Sequence, residues 1–123
     1  MNNLEKFGLF IVTNMRDKAL DQFQMLINGE LASQEYQELY KKLNSTSNID
    51  VNVLKEIVMD TVDTALHDLL VALQEAHEFN EGIAVFSGED NIAEESGSLN
   101  FEPFTEDGWI KKYSKYPLSI AFR

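Results

Sequence analysis

The sequence predicts an α+β domain: a three-helix core followed by a small β-hairpin and a short C-terminal helix. Three observations carry that prediction. Up to about residue 79, apolar side chains recur at steps of three and four, the spacing of one helix face. Beyond Gly82 the texture changes to short apolar runs broken by glycine-bearing turns. With 123 residues, 44% of them hydrophobic and 25% charged, the chain fits one domain of ordinary globular composition.

The first helix is placed at about 3–28. Leu4, Phe7, Phe10 and Ile11, then Leu20, Phe23, Leu26 and Ile27, keep helical spacing. Asn2 or Asn3 can cap its start, and Gly29 can end it in the left-handed conformation. Thr13, Asn14, Arg16, Asp17 and Lys18 interrupt the apolar pattern, so a kink is expected there. A second helix at about 33–43 has Ser33 as N-cap, Glu35 in its first turn and Lys41–Lys42 in its last. The third, at about 50–79, is the longest periodic segment. It starts with Asp50 as N-cap, and its apolar arc is wide enough to be covered by the rest of the protein on most sides. A hairpin at about 83–96 pairs Ile83–Phe86 with Asn91–Glu94 across Gly88–Asp90, and a further short strand is placed around 99–101. Thr105 then caps a helix at about 105–114, which Tyr116–Pro117 stops.

Composition excludes several functions. Without cysteine there is no disulfide framework, no thiolate zinc site and no cysteine nucleophile. No secretory leader and no membrane-length apolar run stand out, so a cytoplasmic protein is expected. The net charge is −11, and from residue 56 to 110 there are fourteen Asp and Glu with no Lys or Arg. Nucleic acids and anionic membranes need the opposite sign. The simplest reading of the acidic interval is a solvated surface that keeps the chain soluble. The sharper reading is a patch for a basic protein partner, with Glu94, Glu95, Glu102 and Glu106 as its charges and Trp109 as an aromatic anchor. The basic residues near the C-terminus, beside an acidic body, also leave room for a homo-oligomer.

No catalytic or cofactor signature is present. The glycines lack phosphate-cradling spacing, and no serine stands in a nucleophile elbow. One alternative is a divalent metal held by Asp60, Asp63 and His67, whose spacings of three and four share a helix face. Asn14, Asp17 and Asp21 of the first helix are its candidate complements. The plainer reading is a solvent-facing polar strip with a local Asp–His pair. His77 cannot join His67 on one ion, because ten helical residues separate them by ~15 Å.

The phrases TALHDLLVALQEAHE (64–78) and EDGWIKKYSKYP (106–117) resemble those of small uncharacterised bacterial proteins, some of them similar to immunity proteins of toxin systems. That resemblance implies a bacterial protein and brings no site residue with it.

Overall fold

Asn2 opens the first helix by accepting the Glu5 backbone N–H on its side-chain oxygen at 2.8 Å. In the computed structural model, which describes residues 1–123, α1 then runs Asn3–Ile11. The polar interruption becomes a single π-helical turn, Val12–Arg16, before α2 continues as Asp17–Ile27. Within the turn Thr13 Oγ1 donates to the Leu9 carbonyl at 2.7 Å, and Asn14 Nδ2 donates to the Phe10 carbonyl at 3.0 Å. Side chains that draw on the preceding turn's carbonyls favour such irregularity. The wider turn aims Val12, Arg16 and Asp17 inward together.

Gly29, at φ +73°, follows α2. Ser33 caps α3, Gln34–Ser45, by accepting the Tyr36 N–H, and Asp50 caps α4, Val51–Glu78, by accepting those of Asn52 and Val53. At 28 residues, α4 is ~42 Å long and forms the axis of the molecule.

The chain is mostly helical, with one small antiparallel hairpin, the α+β character expected. The hairpin is much shorter than 83–96. β1, Phe86–Ser87, pairs with β2, Asp90–Asn91, placing Phe86 opposite Asn91 and Ser87 opposite Asp90. The intended second arm is instead α5, Ile92–Ser96, because the Asn91 side chain accepts the N–H groups of Ala93 and Glu94 and so starts a helix. Residues Leu99–Phe101 form a 3₁₀ turn rather than a strand. The last α-helix, α6, is Trp109–Tyr113, starting after Gly108 and not at Thr105. The N–H groups of Trp109 and Ile110 are taken by the carbonyls of Glu102 and Pro103, which folds residues 103–108 into a tight turn. A Cβ on Gly108 would lie 2.6 Å from the Glu102 carbonyl oxygen, so no larger residue fits there. A second 3₁₀ turn, Ile120–Phe122, closes the chain.

The core joins the two ends of the sequence. Val12, Leu66, Leu70, Leu99, Trp109 and Ile110 are its deepest members, drawn from the π turn, α4 and the C-terminal segment. Trp109 lies flat over Gly8, where a Cβ would meet the indole at 2.5 Å, while Phe7 meets it edge-on at 5.8 Å. By contrast α3 packs on α2 and contributes no buried residue.

The apolar arc of α4 is therefore not covered all round. Its buried side holds Asp63 and Gln74 with Leu66 and Leu70, whereas Val53, Ile57 and Leu69 are exposed. The reason is the irregular C-terminal segment lying against α4, whose backbone groups need polar partners. Gln74 supplies two, donating to the Ala93 carbonyl at 3.2 Å and accepting the Leu99 N–H at 3.0 Å.

Candidate interaction surface

Of the residues considered for a metal, Asp63 is withdrawn by the fold. It is fully buried and grips Arg16 in two parallel bonds, 2.6 Å to Nε and 3.0 Å to Nη2. Its second oxygen also accepts the Ser119 N–H at 3.1 Å. The remaining guanidinium protons go to Ser114 Oγ and to the carbonyls of Tyr116 and Pro117. This is a structural clamp that fixes the C-terminal segment to α4 and the π turn. Asp60 accepts a long bond from Ser119 Oγ, at 3.4 Å. His67 packs between Asp68, 3.2 Å away, and the rings of Phe104 and Phe122. No group of three or more His, Asp or Glu side chains is arranged to hold an ion.

Asp17 and Asp21, the expected complements from the first helix, face the C-terminal segment instead. Asp17 accepts from Ser114 Oγ and the Lys115 N–H, and Asp21 accepts from Lys115 Nζ and the Tyr116 hydroxyl. Glu5 adds a third rung, accepting from Lys112 Nζ at 2.8 Å and from the Tyr113 hydroxyl. Burial acts to raise the Glu5 carboxyl, but the hydrogen bonds from Lys112 and Tyr113 outweigh it and hold the group below the ordinary value. The Lys115 and Tyr116 bonds lower Asp21 in the same way. Burial, and then the bond to Asp21, pushes the Tyr116 hydroxyl up to about 12.

Part of the acidic interval gathers where α4 ends and the hairpin and α5 follow. Glu75 and Glu78 lie on the last turns of α4, Glu81 just past it, Glu89 in the hairpin turn, and Glu94 and Glu95 on α5; all are exposed. Gln74 ties α4 to α5 through Ala93, and Ile92 is bonded to Val85, so these segments form one surface. None of the six glutamates has a Lys or Arg partner, since the ion pairs of the C-terminal lysines go to Glu5, Asp21 and Glu106. Of the other expected contact residues, Glu106 is exposed and sits 3.2 Å from Lys111, while Glu102 is half-buried and accepts from Ser96 Oγ. Trp109 must be corrected: it is fully buried in the core and offers no surface to a partner. The exposed anchors at this end are Phe79, Ile83 and Phe86, which are 60–70% exposed. They were legible only as chain breakers and strand residues, because their exposure depends on how little of the hairpin forms.

A cleft of about 520 Å³ opens beside α6, with Lys111, Lys115 and Arg123 over Phe104, Tyr116 and Phe122. Two of its three cations are already paired, with Glu106 and Asp21.

No family model, curated protein or solved structure matches the chain. No helix is long and apolar enough to cross a membrane.

Proposed function

We propose that the protein is a non-enzymatic binding module that docks a basic protein through the end of the molecule formed by the α4 C-terminus, the hairpin and α5. One observation carries the reading: six exposed glutamates without Lys or Arg partners lie on the same segments as the exposed Phe79, Ile83 and Phe86. Unpaired like charges collected on one surface speed association with an oppositely charged partner. Aromatic side chains among them supply the apolar area that charge alone does not. Glu94 and Glu95 belong to this surface, and Glu102 and Glu106 carry the acidic character past α5. An immunity-type inhibitor that covers the phosphate-binding face of a bacterial toxin is the kind of protein this arrangement suits.

The test is affinity capture from the native organism's lysate at low and high salt, read by mass spectrometry. A single basic protein should be retained at low salt and depleted at high salt. Association with the purified partner should then slow at least about tenfold in Glu94→Lys/Glu95→Lys. In Phe79→Ser/Phe86→Ser the complex should dissociate faster. Capture that is indifferent to salt and to charge reversal would refute the reading.

A further inference from the structure

We infer that the opposite end of the molecule, where α2, α3 and the start of α4 meet, is a two-fold interface with a second copy of this chain. The first observation is α3 itself, a 12-residue helix with no buried residue. A helix of that length is marginal in water and depends on packing of its apolar face. Here that face is left open. Leu39, Leu43, Phe23, Leu26 and Leu54 line a groove of about 260 Å³ between the three helices. Leu39 on its rim is 48% exposed, and Ile49, Val51 and Val53 beside it are each at least 40% exposed.

The second observation is the total surface. A 14.0 kDa chain exposes 7638 Å², whereas a monomer of that mass is expected to expose roughly 6,700 Å². The excess, on the order of 900 Å², is close to the ~800 Å² that each partner contributes to a standard interface.

Charge selects the occupant. A two-fold contact brings a patch against itself, so it must not be strongly charged. Between residues 28 and 57 five acidic residues are offset by three lysines, against sixteen acidic and seven basic residues in the rest of the chain. The excess lies in residues 58–110, with thirteen acidic residues and no Lys or Arg, so this end, at −2, can meet its own copy where the acidic end cannot. The acidic end lies across the ~42 Å length of α4 and stays free in the dimer, so the two sites are independent.

The experiment is sedimentation equilibrium of the full chain from low micromolar to near millimolar concentration, with far-ultraviolet circular dichroism on each variant. The wild type should approach twice 14.0 kDa. Leu39→Lys, at an exposed position, should weaken the dimer at least roughly a hundredfold, because the change enters the interface twice. Its helical signal should be unchanged. Phe79→Lys, at the far end, should dimerise like the wild type. A wild type that stays monomeric throughout overturns the inference and gives the groove to a different protein. A dimer that survives Leu39→Lys, or is lost equally in Phe79→Lys, overturns it as well.

Discussion

Arg16 and Asp63 hold the only buried ion pair between full charges, and both side chains are completely shielded from water. Removing two charges from water is costly, and the pair is tolerable because nearly every polar atom is satisfied: Arg16 also serves Ser114, Tyr116 and Pro117, and Asp63 also serves Ser119. Breaking it from one side strands a buried charge. Asp63→Ala should therefore lose about 3–5 kcal/mol in urea unfolding, a large part of a small domain's stability. Adding Arg16→Met should restore only some of it, since the Tyr116 and Pro117 carbonyls and the Ser119 N–H remain without partners. A loss below about 1 kcal/mol for Asp63→Ala would show that the clamp is not closed. The sequence exposed each half of this pair but not their meeting. Asp63 stood out for its spacing to His67, and Arg16 as part of a polar break in a helix. The contact that unites them spans 47 residues, beyond the reach of any local pattern.

Among the elements, the C-terminal segment docks on α1 and α2 through three carboxylates in order: Glu5 with Lys112 and Tyr113, Asp17 with Ser114, Asp21 with Lys115 and Tyr116. This ladder gives stability two pH limbs. Glu5 and Asp21 lie below their ordinary values of 4.5 and 3.8 when folded, so their contribution is complete above those values and lost as pH falls through the lowered ones. Tyr116, raised from 10.0 to about 12, acts in reverse: its contribution is complete below pH 10.0 and disappears as pH rises to about 12. Lys112 and Lys115, also raised, add to the alkaline limb. Asp21→Asn touches both limbs, so melting curves across pH should show both becoming shallower than in the wild type. A change on the acid side alone would contradict the shared role of Asp21. Helix starts were legible because caps are local: Ser33 and Asp50 stand where the sequence places them. The hairpin and α6 were not, because their limits are decided by side-chain and carbonyl partners, Asn91 for α5 and the Glu102 and Pro103 carbonyls for α6.

At the scale of the molecule, the excess negative charge is sorted by the ladder. The C-terminal lysines neutralise acidic residues of α1 and α2, leaving the glutamates around the α4 C-terminus to repel one another. Screening should relieve that repulsion, so the melting temperature should rise by a few degrees between roughly 0.01 and 0.3 M salt, as the Debye length falls from about 30 Å to below 10 Å. Glu94→Lys/Glu95→Lys should remove much of the gain. A melting temperature that falls with salt would mean that the surface ion pairs outweigh the repulsion. The acidic character of this end was plain from the interval without Lys or Arg. Its aromatic component was misplaced on Trp109, because the close approach of that ring to Gly8 leaves no trace in the order of residues.

The clamp on Arg16 also dictates when the chain can finish folding. Its carbonyl acceptors on Tyr116 and Pro117 are 100 and 101 residues downstream. At ~5–20 residues per second they are synthesised roughly 5–20 s after the arginine. Throughout that interval the guanidinium keeps its water, and the π turn has no dry partner to close against. The interior around Arg16 therefore stays open during synthesis and seals only once residues 114–119 arrive.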